Sequence, residues 1–381
     1  MKKVLIIIAL LVGIVAGYFS FGILFMEFTP TAILTYSLPD FPDLPDTPLP
    51  LPHSAVAIDG ALVASHADEQ PFPTASTAKI ILALAVSRQY DSDPNSTITI
   101  SQADYDKYLR EARTGGSHTK VRVGQQITLY DALASVLLRS SNNMADTLAD
   151  HLFGSHTAYK AFAADMLRDL GATHTTIGDD ASGRHYSTTS TAGDLAIIGY
   201  YLLQDETLAQ IVSTKSIDIP VHGKVDNTNR LLGTDGIIGI KTGQTDEAGY
   251  CLVLGAKHDG YTVTTAILGA KTRNQPFEIS HELINRYNLD IVHTIPTGTE
   301  IGYFDTWWAG QVPIVTSEDA QVRAWGHDNI ELTLVAPAPT DTAPSEALRV
   351  TINGTPLDIP AGPTKIPEPT LWQKVLRLAG L

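Results

Sequence analysis

Gly239-Ile240-Lys241-Thr242-Gly243-Gln244-Thr245-Asp246-Glu247-Ala248-Gly249 is the stretch on which the fold turns. Ile237–Thr242 has strand character, and Gly249–Lys257, a turn at Asp259-Gly260 and Tyr261–Ala270 follow it. β-branched and apolar runs separated by turn residues predict an antiparallel meander that carries Lys-Thr-Gly on one of its strands. Far upstream, Ser54–Ile58 and Ala61–Ser65 flank Asp59-Gly60 and predict a hairpin. Between the two β regions the period changes to helical over Ser76–Tyr90, Thr128–Arg139, Asn143–Phe153, Ala158–Leu170 and Thr191–Leu203, and a further helix is expected from Phe277 to Tyr287. The Ser76–Tyr90 helix is apolar almost all round and is expected to be buried. The fold class is α/β in the α+β sense, an antiparallel sheet built from strands of both ends and flanked by helices.

A lysine, a hydroxyl and a glycine in succession on a strand offer an anionic substrate a cation, a donor and open backbone N–H groups. The Gln244 N–H is positioned in the sequence to be an oxyanion donor. A phosphate loop does not fit, because Ile240 separates Gly239 from Lys241. Acyl transfer also needs a nucleophile with a base. Ser76 and Lys79, three apart on a helix, share one face, and burial lowers a lysine pKa from its usual value of about 10.4. By itself Ser76 reads equally as a helix N-cap. Ser141 and Asn143, in the polar turn Ser140-Ser141-Asn142-Asn143, are candidates to relay a proton and hold an amide, though Ser and Asn also serve as turn and cap residues. What joins the three segments is their order, with a nucleophile on a helix start, an amide in an interhelical turn and a cation on a strand.

The remaining sequence bounds the setting. A net charge of -15, with the basic residues scattered, excludes a nucleic-acid binder. Cys251 is the sole cysteine, so no intramolecular disulfide or cysteine metal cage forms, and its apolar surroundings make it core filler. The histidines form no metal-ligand pattern, and neither metal nor cofactor is expected. Residues 1–27 comprise Lys2 and Lys3 followed by the uncharged run Val4–Met26, enough at about 1.5 Å per residue to cross a hydrocarbon core of about 30 Å. The expectation is a single-pass transmembrane anchor with the catalytic part outside the cytoplasm; a cleaved signal peptide ending near Val15-Ala16-Gly17 is the alternative. Residues 28–52 carry prolines at 39, 42, 45, 48, 50 and 52 and predict a polyproline II spacer. Residues 53–289 form the expected catalytic domain, 290–368 a smaller all-β domain of short runs between Gly, Pro and Asp, and 369–381 a short amphipathic tail with Trp372, Lys374 and Arg377. That tail suits either a membrane surface or packing against its own domain.

Over about residues 54–366 the chain resembles the serine D-alanyl-D-alanine carboxypeptidases, the low-molecular-mass penicillin-binding proteins. The resemblance is carried by Thr74-Ala75-Ser76-Thr77-Ala78-Lys79, by Asp180-Ala181-Ser182-Gly183 with Asp194-Leu195-Ala196, and by the run from Gly239 to Cys251. It implies a β-lactamase/DD-peptidase-like fold and removal of the terminal D-alanine from peptidoglycan stem peptides, with β-lactams as substrate mimics. Carried over by motif, Ser76 is the acylated nucleophile, Lys79 its base, and Ser141 and Asn143 the rest of the proton network. Lys241 and Thr242 bind the terminal carboxylate beside Gly243, and the N–H groups of Ser76 and Gln244 form the oxyanion hole. Members usually have Pro at Thr74, His at Gln244, and Asp after Ser-x-Asn, where this chain has Met144. Arg273 is a further candidate for the carboxylate. No Glu-x-x-x-Asn type loop lies between Ser141 and Lys241, which argues against rapid β-lactam hydrolysis. The alternatives are a β-lactamase or esterase of the same fold, and a non-catalytic penicillin-binding sensor.

Overall fold

The computed structural model describes residues 31–67, 69–89, 94–258, 260–326, 328–335, 346–363 and 368–378. The apolar run Val4–Met26 and Asp259 of the expected turn lie outside these. Among the described residues no helix is long and apolar enough to cross a membrane.

The chain divides into two compact units, Leu44–Leu289 and a second formed by Asp290 onward together with residues up to Asp43. In the first, five antiparallel strands lie in the order Ile237–Thr245, Gly249–His258, Tyr261–Ala270, Ser54–Ile58, Ala61–His66. Strands from the two ends of the unit meet where Val263 to Ile267 pair with Ile58 to Ser54. Both faces of the sheet are covered. Leu252, Leu254 and Ala256 point to Phe277 and Ile284 of the helix Gln275–Arg286, whereas Cys251 and Val253 point into the large helical core. Period-2 alternation with both sets apolar is what a sheet sandwiched between helices requires.

The helical core surrounds Lys79–Gln89, whose residues from Lys79 to Val86 are all buried. It packs against Leu129–Leu137, Asn142–Phe153, His156–Asp169 and Ala192–Gln204. Ser76 precedes this helix in a separate 3-10 turn, Ala75–Ala78, rather than in a continuous helix from Ser76. Several elements of this unit escape periodicity. Gln102–Thr114 is mostly polar but is started by a Ser101–Asp104 capping box. Glu206–Ser213 and the hairpin Ser216–Ile219/Gly223–Asp226 are short.

The second unit is a six-stranded antiparallel sheet in the order Thr31–Leu34, Glu300–Thr306, Gly310–Thr316, Thr355–Pro363, Glu346–Ile352, Ile330–Val335, beside the pair Val292–Ile295/Ala320–Arg323. Ile301, Phe304, Ile314, Leu348, Val350 and Ile359 fill its core. Here the expected spacer is corrected in part: Thr31–Leu34 is a strand of this sheet and Phe41 is buried in this core. Thr31–Leu34 lies ahead of the proline-spaced stretch that begins at Pro39, and four residues are too few to show a strand period of their own. The tail is the helix Leu371–Leu378, with Leu371 and Trp372 exposed and Gln373 Nε2 donating to Trp308 O at 3.0 Å.

Candidate active site

Ser76 stands on the 3-10 turn because Ala75 takes φ +46 just before it. A left-handed alanine costs on the order of 1–2 kcal/mol and is held by its surroundings. Thr77 Oγ1 donates to Thr74 O at 2.6 Å, and Thr74 N donates to Thr188 O at 3.2 Å. Gly183 (φ +69) closes on the turn from the other side so tightly that a Cβ there would lie 2.1 Å from Ala75 O. Strand Ile237–Thr245 passes in front, where a Cβ on Gly243 would lie 3.0 Å from Ser76 N. Glycine at both positions follows from backbone approaching backbone.

Lys79 Nζ lies 2.9 Å from Ser76 Oγ and donates to Asn142 Oδ1 at 2.9 Å and to Ser182 O at 2.7 Å. The side chain is fully buried. Desolvation lowers its pKa to about 8, against the opposing pull of the Asp180, Asp146 and Glu111 carboxylates. A buried amine whose pKa approaches neutrality, in contact with a serine hydroxyl, makes that serine an activated nucleophile.

The interhelical turn corrects the sequence expectation by one residue. Asn143 does not reach Lys79: its Oδ1 accepts from Thr119 N at 2.9 Å and its Nδ2 donates to Thr119 O at 3.1 Å. Ser141 is the N-cap of Asn142–Phe153, accepting from Met144 N, and its Oγ donates to Asn143 Oδ1 at 2.8 Å. Asn142 meets Lys79, and Ser140 lines the cleft with Ser76. The cause is local. Ser140 adopts φ +63, turning the chain so that the first members of the Ser-Ser and Asn-Asn doublets face the site and the second members face the core. The sequence did hold the signal, since shifting Ser-x-Asn by one puts Asn143, the amide counterpart of Asp, at the position where the other register gives Met144.

Lys241 is buried, 1% exposed, and donates to Thr242 O at 2.8 Å. Burial first, and the Lys79 charge second, push its pKa well below the usual lysine range. It is not among the residues that line the cleft. A cleft of about 600 Å³ is lined by Ser76, Ser140, Thr242, Gly243 and Gln244, with Arg139, Arg230 and Arg273 as its cations. Arg230 is tied to Asn274 Oδ1 at 2.7 Å and lies over the Phe277 ring at 4.3 Å. Arg139 and Ser117 carried no sequence expectation. Ser117 contributes through its carbonyl, which accepts from Asn142 N at 2.8 Å. Among the described residues no group of His, Cys, Asp and Glu is arranged to hold a metal.

A serine on a 3-10 turn and a buried lysine opening the core helix behind it, faced by a Lys-Thr-Gly strand at the edge of an antiparallel sheet, define the serine–lysine class of acyl-transfer sites. The chain belongs to the D-alanyl-D-alanine carboxypeptidase family, whose model matches residues 52–272, more than half of its length. It is 28% identical over 227 residues to the D-alanyl-D-alanine carboxypeptidase DacC of Escherichia coli, a match covering 58% of this chain and 56% of that one. The chain thus spans about half the length of that relative. Among solved structures it resembles the D-alanyl-D-alanine carboxypeptidase of Mycobacterium tuberculosis, with TM-score 0.55 and 28% identity over 66% of this chain and 94% of that one. A Streptomyces DD-transpeptidase shares the fold at TM-score 0.57 and 24% identity, over 64% and 98% of the two chains.

Proposed function

We propose that this protein is a serine D,D-carboxypeptidase that removes the terminal D-alanine of peptidoglycan stem peptides through an acyl-enzyme on Ser76. The single observation that carries this is the 2.9 Å approach of the buried Lys79 amine to Ser76 Oγ. The neutral amine takes the Ser76 proton as Oγ attacks the carbonyl carbon of the penultimate D-alanine. The oxyanion is received by the N–H groups of Ser76 and Gln244, which replace water with fixed dipoles. Lys79 returns the proton to the departing amine of the terminal D-alanine. A water then attacks the ester, giving its proton to Lys79 and regenerating the hydroxyl.

The strand Ile237–Thr245 is the outermost of its sheet, so its free edge suits an extended peptide added as a further strand. The terminal carboxylate meets Thr242 with Arg273 and Arg230, all three of which line the cleft. β-Lactams acylate the same serine as mimics of the dipeptide. The apolar run Val4–Met26 supports a location on the outer face of a cell membrane, tethered through the N-terminus, with no cofactor.

The test is D-alanine release from a diacetyl-Lys-D-Ala-D-Ala peptide, beside labelling by a fluorescent penicillin, in wild type and Ser76→Ala. Release and labelling, both lost in the variant, are expected. Labelling without release overturns the carboxypeptidase assignment in favour of a sensor. Fast turnover of the penicillin identifies a β-lactamase instead.

A further inference from the structure

We infer that Glu111 is a positioning residue for the Ser76–Lys79 pair, fixing the amide of Asn142 so that the lone pair of Lys79 has only Ser76 to accept from. This rests on the proposed role of Ser76 and Lys79. Glu111 sits on the polar helix Gln102–Thr114, outside all three motif segments, yet it is 3% exposed. Its Oε2 accepts from Asn142 Nδ2 at 2.8 Å, and both carboxylate oxygens accept from Arg184 Nη1 at 2.9 Å.

The chemistry follows from counting hydrogens. A neutral lysine amine has two N–H donors and one lone pair. As an ammonium, Lys79 donates to Ser76 Oγ, Asn142 Oδ1 and Ser182 O together; as a neutral amine that keeps its two N–H groups on Asn142 Oδ1 and Ser182 O, it has its lone pair left for the Ser76 hydroxyl 2.9 Å away. An amide, however, has two ends of nearly the same shape, one donating and one accepting. If Asn142 turned over, its NH₂ would occupy the Lys79 lone pair and the base would be lost. A carboxylate can only accept, so Glu111 permits one orientation of Asn142 alone.

The same carboxylate reaches the second acceptor as well. Arg184, held by Glu111 and by Thr114 Oγ1 at 3.2 Å, lies two residues beyond Ser182, and the backbone N–H groups of Ser182 and Arg184 both donate to Asp180 Oδ1, at 2.8 and 3.1 Å. Glu111 thereby ties the segment that presents Ser182 O to the helix behind Asn142. With Arg184 and Asn142 as its partners, and the Arg110 guanidinium 3.8 Å away, Glu111 is a holder of groups and not a base for water.

The test is the second-order rate of Ser76 acylation by a fluorescent penicillin between pH 6 and 10, in wild type, Glu111→Gln, Asn142→Asp and the double variant, with melting curves alongside. A glutamine amide both donates and accepts, so Glu111→Gln no longer selects one orientation of Asn142 and is expected to lower the high-pH plateau by about 10- to 100-fold in a folded protein. Asn142→Asp sets two carboxylates against each other and also slows acylation. The double variant restores one donor facing one carboxylate and is expected to be at least about tenfold faster than either single change, its rising limb moved to higher pH because an anion now touches Lys79. Glu111→Gln within about threefold of wild type overturns the inference, as does a folded double variant no faster than the single ones. Should Glu111→Gln not fold, recovery of the double variant over Asn142→Asp decides alone. A wild type that never labels overturns the functional assignment and this inference with it, whereas a labelling wild type with an unaffected Glu111→Gln overturns the inference only.

Discussion

Asn142 Oδ1 accepts from Lys79 Nζ at 2.9 Å, while its neighbour Asn143 faces the opposite way and brackets the backbone of Thr119. Adjacent identical residues therefore have separable roles. Asn142→Ala is expected to slow acylation by about 100-fold and, by leaving the buried Glu111 carboxylate and a Lys79 N–H without their Asn142 partner, to cost about 1–3 kcal/mol of stability as well. Asn143→Ala leaves a buried N–H and C=O unpaired and is expected to cost about 1–3 kcal/mol of stability, with the folded protein still acylating. Paired penicillin labelling and thermal melting check both.

Lys79 works as a base only when neutral, and its pKa is lowered to about 8. Acylation is expected to rise with pH through about 8 and then level, falling about tenfold for each pH unit below it. The sign is fixed by the base: protonation below the pKa removes the lone pair. A flat acylation profile between pH 6 and 9 would exclude Lys79 as the general base.

Asp146 is partly buried, and desolvation first, the Asp180 charge second, raise its carboxyl pKa to about 6. Its charge holds the Lys79 pKa up, and its Oδ1 accepts from Ala181 N at 3.3 Å. Asp146→Asn keeps an acceptor and removes the anion. The rising limb of acylation is expected to move to lower pH, raising the rate at pH 6.5 about threefold. Because the folded-state pKa of Asp146 lies above the unfolded value, its contribution to stability is present at low pH and is lost as pH rises through about 6. The variant is thus expected to melt higher than wild type above pH 6, which melting curves at pH 5 and 8 test.

Gly243→Ala would bring a methyl group 3.0 Å from Ser76 N and 3.1 Å from Ala75 Cβ. The strand must then retreat from the serine turn and take the Gln244 N–H with it. A fall of about 100-fold in acylation is expected with the fold retained. Gly183→Ala differs, since its Cβ would meet Ala75 O at 2.1 Å with φ +69, and loss of several kcal/mol of stability is expected on melting.

Arg273 lines the cleft, whereas Arg230 is also tied to Asn274 and Phe277. Arg273→Ala is expected to raise KM for the free-acid peptide about 10-fold or more, and to leave a C-terminally amidated peptide unaffected. Arg230→Ala is expected to lower stability as well, because a cation–π contact and a hydrogen bond are lost together. Steady-state kinetics on the two peptides separate the outcomes.

The sequence by itself determined the groups that react and the elements that carry them. A β-strand or a core helix announces itself through a period of 2 or an apolar surround, so the Lys-Thr-Gly meander, the hairpin at Ser54–Ser65 and the helix behind Ser76 were all legible. Ser76 and Lys79 were legible for the same reason, since three residues along a helix is a local distance. Which of two adjacent serines and asparagines face the site was legible only through Asn143 standing where the family has Asp, and the positive φ at Ser140 in the folded chain decided it while leaving the residue types unchanged. The tertiary structure alone set how deeply the Lys241 side chain is buried, since the depth of a side chain depends on what packs around its strand. Glu111 belongs to no motif, and it meets Asn142 only because two helices distant in sequence are packed side by side.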